Sequence, residues 1–371
     1  GSVKSECNCK RGIRSMEKII PVIIPAYEPD MRLLELLKDM KCNKCGPVIL
    51  VNDGSGKEYN DIFDKAQTIL KDIGGVLLIH EKNKGKGRAL KTAFAYILEQ
   101  YPRAVGVVTA DSDGQHTVSC INAVRSALEQ QPDNLILGVR KFDGEGIPWK
   151  SRFGNTLTEK IFAYITGVHV SDTQTGLRGI PTSFMEELLE IPGERFEFEM
   201  QMLMECAGKY NITEIPIKTI YDSEDNHQTH FDPLADSIRI YKIIGKKFLK
   251  YIFASFSSCI IDVVLFAVFC SLLKSAYPGI YLVIATVGAR VISAVYNYAM
   301  NYRVVFKSRE SVGKSGIKYI TLAVIQMCLS AGGVTLLKTI LPFIPDVLIK
   351  IVVDTILFFI SYHIQQKYVF R

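Results

Sequence analysis

The sequence predicts two parts: an α/β domain built on a mainly parallel sheet, then an all-α transmembrane domain of four helices. Two observations carry this reading. Over residues 16–245, short apolar runs alternate with helical patterns, the order expected of an α/β layer structure. Over residues 248–366 the chain is mostly apolar, in stretches near 252–273, 280–301, 319–341 and 346–364. Each stretch roughly matches the ~20 residues needed to cross ~30 Å of hydrocarbon. A length of 371 residues accommodates two domains. Hydrophobic residues make up 48% of the chain and mean hydropathy is +0.16, a surplus concentrated in the second half.

In chain order, Ile19 to Ile24 is an apolar run bounded by Pro25 and reads as a buried strand. A helical pattern follows with Leu33, Leu34, Leu36 and Leu37. Val48 to Val51 is the next strand, ending at Asn52-Asp53-Gly54-Ser55. A helix over 58–72, a strand over 76–80, a helix over 86–100, and strands over 104–109 and 135–139 continue the pattern. In such sheets ligands sit at the carboxyl ends of strands. Ala26-Tyr27-Glu28, Asp53-Gly54-Ser55, Asn83-Lys84-Gly85 and Asp111-Ser112-Asp113 all fall there.

The expected divisions are a tag or disordered segment over 1–15, the α/β domain over 16–231, a juxtamembrane amphipathic helix over 232–250 and the membrane domain over 251–371. Residues 1–15 are polar, with Lys4, Lys10, Arg11 and Arg14 and no apolar centre, so no signal peptide is expected. Basic residues set the orientation of the spans. Lys242, Lys246, Lys247 and Lys250 precede the first span, Arg303, Lys307, Arg309, Lys314 and Lys318 separate the second and third, and Lys367 and Arg371 follow the fourth. The opposite side has Lys274 and Lys338, with Lys350 near that end of the last span. The expected protein is a multi-pass cell-membrane protein with its N-terminal domain and C-terminus cytoplasmic. Lys250-Tyr251-Ile252 and Lys318-Tyr319-Ile320, and likewise 302–306 and 366–370, hint at a duplicated hairpin. Asp262, Arg290 and Asp354 lie inside spans, where charges are costly and pair; an Asp262–Arg290 pair is the simplest arrangement.

The nine cysteines form no disulfide framework and fit a reducing compartment. Cys7, Cys9, Cys42 and Cys45 have spacing that suits zinc, with scattered reduced thiols the plainer reading. The net charge of +6 comes with no nucleic-acid recognition motif, and the basic residues gather beside the membrane segments, so nucleic acid is not an expected partner.

The run Ala110 to His116 carries the chemistry. Asp111 and Asp113, one residue apart at a strand end, suit a hard cation held by a diphosphate, since Mg²⁺ takes one or two carboxylates plus substrate phosphates. Joined to a membrane domain, such a site points to an enzyme that modifies a lipid at the bilayer surface.

Taken together, Val22 to Glu28, Val51 to Ser55, Asn83 to Leu90, Asp111 to His116 and Asp172 to Arg178 resemble, in order, the motifs of family 2 glycosyltransferases of GT-A fold. The group most similar is the polyprenyl-phosphate glycosyltransferases, which include dolichyl-phosphate mannose synthase. The resemblance covers about residues 18–245, and residues 246–371 resemble a GtrA-like four-helix domain. It implies that Pro25, Tyr27 and Glu28 line a nucleotide pocket, that Asp53 hydrogen-bonds the nucleobase, and that Lys84 and Arg88 add charge near the diphosphate. It places Asp111 near the ribose and the metal, with Asp113 and Gln115 as further ligands of Mg²⁺ or Mn²⁺.

An acceptor phosphate needs cations, and arginine forks suit it. Arg140 and Arg152 stand at similar points to the family's phosphate-binding arginines; a surface salt bridge is the other reading of Arg152. Asp172 and Arg178 either shape the sugar and acceptor pocket or serve structure. Residues 149–168 read as an interfacial amphipathic helix or as a helix facing the protein core. His227 and His230 read as loop residues near the active site.

The implied activity is inverting transfer of one sugar from a nucleotide sugar, a UDP-sugar before GDP-mannose, to polyprenyl phosphate on the cytoplasmic face of the bilayer, for cell-envelope glycosylation. Processive polysaccharide synthases carry a Gln-x-x-Arg-Trp motif, which is absent: Trp149 is the single tryptophan and follows Pro148. Another lipid acceptor, or lipid flipping by the membrane half, are the alternatives. A homo-oligomer is compatible with the family.

Overall fold

The computed structural model describes residues 19–140, 149–218 and 235–370. Its strands are β1 (Val22–Ala26), β2 (Val48–Asn52), β3 (Val76–Ile79), β4 (Gly106–Thr109), β5 (Leu135–Arg140), β6 (Arg178–Pro181) and β7 (Ile212–Ile217). Its helices are α1 (Met31–Cys42), α2 (Asn60–Asp72), α3 (Lys86–Gln100), α4 (Val118–Gln130), α5 (Trp149–Thr166), α6 (Thr182–Glu190), α7 (Glu197–Cys206), α8 (Ala235–Leu273), α9 (Tyr281–Met300), α10 (Val312–Ile340) and α11 (Asp346–Ile364). The chain divides into two compact units.

The first unit holds the whole sheet, in the order β3-β2-β1-β4-β6-β5-β7. β6 alone runs antiparallel to its neighbours. β1, β2 and β4 are buried along their full length, which is why they read as unbroken apolar runs rather than alternating ones. Val22, Ile24 and Leu50 join Leu33, Leu37, Phe63 and Ile121 in one core layer. Ile23, Ile49 and Val51 face the other side, as a period of two requires. Asp30 caps α1 by accepting from Arg32 N, and Thr117 caps α4 through Cys120 N.

Pro25 was expected to end the first strand and instead lies inside β1, paired with Val51. The β1–β4 ladder stops at Ile23 and Thr109, so Pro25 stands beyond the point where an N–H would be needed on that side. Cys45 is buried and donates its thiol to Asn122 Oδ1 at 3.3 Å, while Cys42 is exposed. Cys7 and Cys9 lie outside the described residues, as do His227 and His230.

The second unit contains α5, α7 and α8–α11. The juxtamembrane helix and the first span are one continuous helix, α8, of 39 residues. Among the described residues, Tyr241–Leu273, Val312–Ile340 and Leu348–Val369 are long and apolar enough to cross a membrane. The expected ion pair joins α8 to α9: Arg290 Nη2 lies 3.3 Å from Asp262 Oδ2, and Ser293 Oγ donates to Asp262 Oδ1 at 3.0 Å.

The two hairpins repeat one pattern. Each ends in a π-helical turn, Asn301–Val305 and Gln365–Val369. The first residues of these turns meet, Asn301 Nδ2 donating to Gln365 Oε1 at 3.0 Å, and the rings of Phe306 and Phe370 stack at 5.3 Å. Ser330 follows Tyr319 by as many residues as Asp262 follows Tyr251, and Asp354 precedes Gln365 as Arg290 precedes Asn301. Ser330 Oγ donates to Asp354 Oδ1 at 2.6 Å, so both hairpins place a polar cross-link at the same register.

Candidate active site

The chain leaves β1 toward β2 and β3 on one side and returns to β4 on the other, so β1 and β4 flank a topological switch point. Ligands of open α/β sheets bind outside the strand ends at such a point. Tyr27 and Glu28 follow β1 there, Asn52 to Ser55 close β2, and Ala110 to His116 follow β4.

The loops after β1 and β2 brace each other. Glu28 N donates to Ser55 Oγ at 2.9 Å, and Ser55 N donates to Asn52 Oδ1 at 2.9 Å. Glu28 adopts φ 49°, and its carboxylate, hydrogen-bonded to Tyr27, leads the effects that raise the Tyr27 phenol above its ordinary pKa. Pro25 is buried behind them.

Asp53 is buried and its carboxylate is occupied by the protein. Oδ1 accepts from His80 Nδ1 at 2.7 Å and from Lys84 N at 3.0 Å, and Oδ2 accepts from Gly85 N at 2.7 Å. A carboxylate only accepts, so His80 Nδ1 is the donor in this bond. The structure therefore places Asp53 as the organiser of the turn before α3. Gly54 takes φ 74°, and a Cβ there would collide with the backbone of Lys82 and Asn83, so this close approach requires glycine.

That turn delivers Lys86, the first residue of α3, to Asp111: Nζ lies 2.7 Å from Oδ1. His116 Nε2 donates to Asp111 Oδ2 at 3.3 Å, while its Nδ1 is buried with no partner among the described residues. Burial works to raise the Asp111 carboxyl but is outweighed by Lys86 and then His116, which hold it well below the usual carboxylate range. Asp113 behaves oppositely. Burial, then the Asp111 charge, push its carboxyl up, and Oδ1 accepts the nearby Gln115 N at 3.0 Å. Gly176 packs against Asp111, and a Cβ there would overlap its carboxylate. The loop bearing Gly176 is fixed by Thr109 Oγ1 donating to Gly176 O at 2.8 Å and Thr175 Oγ1 donating to Gly138 O at 2.5 Å.

The remaining expected residues are dispersed. Lys84 and Arg88 are exposed beside the turn, and Arg140 ends β5 half-buried. Arg178 is fully buried in β6, opposite Thr109 of β4, with Nε donating to Thr175 O at 2.9 Å. Asp172 belongs to the second unit, where it is fully buried and accepts from Gln174 N at 3.1 Å. Arg152 lies on α5, and its side chain is outside the described residues. Lys86, His116, His80 and Gly176 were not anticipated as site residues. Lys86 stood in the same basic run as Lys84 and Arg88, and only its place at the helix start turns it toward Asp111.

Comparison with known proteins shows the family of each half of the chain. Residues 22–189 match Glycosyl transferase family 2, and residues 245–370 match the GtrA/DPMS transmembrane domain. The chain is a family 2 glycosyltransferase domain fused to a GtrA/DPMS transmembrane domain. It is similar to the UDP-N-acetylglucosamine–dolichyl-phosphate N-acetylglucosaminyltransferase of Methanococcus voltae, 28% identical over 55% of this chain and 87% of that protein. It is also similar to a dolichyl-phosphate hexose transferase of Haloferax volcanii, 24% identical over 62% of this chain and 94% of that one. Among solved structures, glucosyl-3-phosphoglycerate synthase of Mycobacterium tuberculosis superposes with a TM-score of 0.44 at 15% identity, over 62% of this chain and 79% of that one. A mannosyltransferase of Pyrobaculum calidifontis in complex with GDP-Man and Mn²⁺ does so at 0.39 and 14%, over 94% and 87%.

In this glycosyltransferase the Asp111/Asp113 pair stands at the switch point of the mixed seven-stranded sheet. Among the described residues no three His, Cys, Asp or Glu side chains cluster as a self-sufficient metal cage. The donor set instead fits a hard cation that takes one or two carboxylates and completes its shell with phosphate oxygens. Burial, then the Asp111 charge, disfavour a charged Asp113, and such a cation would offset both.

Proposed function

We propose that this glycosyltransferase moves one sugar from a nucleotide sugar, a UDP-sugar in preference to GDP-mannose, to polyprenyl phosphate at the cytoplasmic face of the membrane. The observation that carries the reading is the Asp111/Asp113 pair beside Lys86 at a sheet switch point, in a chain whose other half is built of membrane-length apolar helices. The two relatives named for dolichyl-phosphate acceptors support the lipid class, and one of them is named for a UDP-sugar donor. The basic residues flanking the spans support the cytoplasmic orientation.

In this reading Pro25, Tyr27 and Glu28 line the nucleotide pocket, and Asp53 acts on it through the turn at Lys84 and Gly85. Lys84, Lys86 and Arg88 bring positive charge to the diphosphate. Asp111, Asp113 and Gln115 would hold Mg²⁺ or Mn²⁺, which supplies charge neutralisation of the departing diphosphate. Arg140 and Arg152 hold the acceptor phosphate, and Asp172 and Arg178 shape the pocket around sugar and acceptor. An acceptor phosphate oxygen is already anionic and needs little general-base help. It bonds to the anomeric carbon as the bond from that carbon to the diphosphate oxygen breaks, and this single displacement inverts the configuration.

The test is to incubate the purified full chain with undecaprenyl phosphate, Mg²⁺ or Mn²⁺, and a panel of UDP- and GDP-sugars, and to detect lipid product by mass. One glycosyl phosphoprenol is expected, absent with Asp113→Ala. No product from any donor overturns the polyprenyl acceptor. Gly176→Ala, which drives a methyl into the Asp111 carboxylate, is expected to weaken Mn²⁺ binding about tenfold to a hundredfold by calorimetry, the range seen when support of a metal ligand is lost.

A further inference from the structure

Helix α5 is finished by the membrane helices. A helix leaves its last carbonyls without intrahelical partners. At the end of α5 the Ile165 carbonyl accepts from Tyr362 Oη at 3.0 Å and from Gln366 Nε2. Tyr362 lies on α11 and is fully buried, and Gln366 stands in the π-helical turn that follows, 7% exposed. Two residues before the end of α5, Tyr164 Oη donates to Phe359 O of α11 at 2.8 Å, and its ring lies 5.6 Å from that of Tyr362. Nearer the middle, Thr158 Oγ1 and Tyr241 Oη of α8 are 3.1 Å apart. Gly167, at φ 75°, turns the chain away directly beside the Gln366 side chain. The buried face of α5, with Thr158, Phe162 and Ile165, is therefore covered by protein rather than left open to lipid. This selects the core-facing reading of residues 149–168 for the described part of the helix.

We propose that Tyr362 and Gln366 are positioning residues for the acceptor. They anchor the C-terminal end of α5 to the membrane domain, and the helix, carrying Arg152 near its other end, transmits that anchoring to the acceptor phosphate. The inference rests on the reading above that Arg152 binds that phosphate. Its consequence is that the membrane domain sets the affinity for the lipid acceptor and leaves the nucleotide-sugar side unaffected.

The test uses the full chain in lipid nanodiscs, with Tyr362→Phe, Gln366→Leu and the double variant. Loss of both donors leaves a buried carbonyl unpaired. The expected result for the double variant is a rise of about tenfold in KM for undecaprenyl phosphate, from a cost typical of an unsatisfied buried acceptor. KM for the nucleotide sugar and kcat are expected to stay within about twofold, the split that marks loss of binding rather than of chemistry. Amide hydrogen exchange over residues 162–168 should accelerate in the same variant. If the double variant does not fold, Tyr362→Phe and Tyr164→Phe carry the same comparison with each ring retained. Equal rises in both KM values, or a fall in kcat alone, would show a merely structural role and overturn the inference. An unaltered chain that makes no glycosyl lipid overturns the acceptor reading itself. An unaltered chain that makes it, with the acceptor KM unmoved in the variants, overturns this inference alone.

Discussion

Asp113→Ala is expected to lower kcat/KM for sugar transfer at least about 10³-fold, the scale on which preorganised charge stabilisation at a departing group acts. The same substitution should leave the fold almost untouched. Within the chain Asp113 Oδ1 accepts the local Gln115 N, and such a bond contributes only about 1 kcal/mol. Asp113 is also the member of the carboxylate pair that the protein's own donors satisfy least. Lys86 and His116 engage Asp111, whereas burial and Asp111 itself disfavour charge on Asp113. A carboxylate maintained in that state is costly unless a further cation shares it. The measurements are steady-state transfer to undecaprenyl phosphate and Mn²⁺ affinity by calorimetry, beside thermal unfolding in detergent. Retention of a tenth or more of wild-type kcat/KM, with Mn²⁺ affinity unchanged, would remove Asp113 from the metal site.

The reach of the sequence followed burial. Strands buried on both faces, such as Val22–Ala26 and Val48–Asn52, have no competing helical period and were legible as apolar runs. The Asp262–Arg290 pair was legible because two charges inside apolar helices have few other ways to be satisfied. β6 escaped notice: Arg178-Gly-Ile-Pro is four residues long and begins with a cation that is wholly buried only through tertiary contacts. The helical face of α5 was ambiguous, since an amphipathic pattern is the same whether lipid or protein covers it. The site was legible as a set of strand-end loops but not as a wiring. Nothing in Asn83-Lys84-Gly85-Lys86-Gly87-Arg88 says which cation turns inward. That follows from where α3 begins, which Asp53 settles by binding the backbone of Lys84 and Gly85.

Asp53→Ala is therefore expected to act on stability first and on the donor second. The substitution leaves the Lys84 and Gly85 N–H groups and the His80 imidazole without their shared acceptor, at one buried position. Unsatisfied buried donors cost about 1–3 kcal/mol each, so the three together are expected to cost at least about 3 kcal/mol. For a domain of this size that corresponds to a fall in Tm of roughly 10 °C. Gly85 is the residue from which α3 starts, and the next residue, Lys86, neutralises Asp111 at 2.7 Å. Loosening the turn should thus also release Lys86 and raise the KM for the nucleotide sugar. Asp53→Asn separates geometry from charge. It keeps one acceptor oxygen but sets an amide NH₂ against an N–H or the imidazole N–H, so it should lie between wild type and alanine in Tm. A residue that only contacts the nucleobase would behave differently: both variants would raise the donor KM while Tm stayed at the wild-type value. Thermal unfolding of the two variants in detergent, read beside their donor KM, distinguishes a base contact from an organiser of the turn.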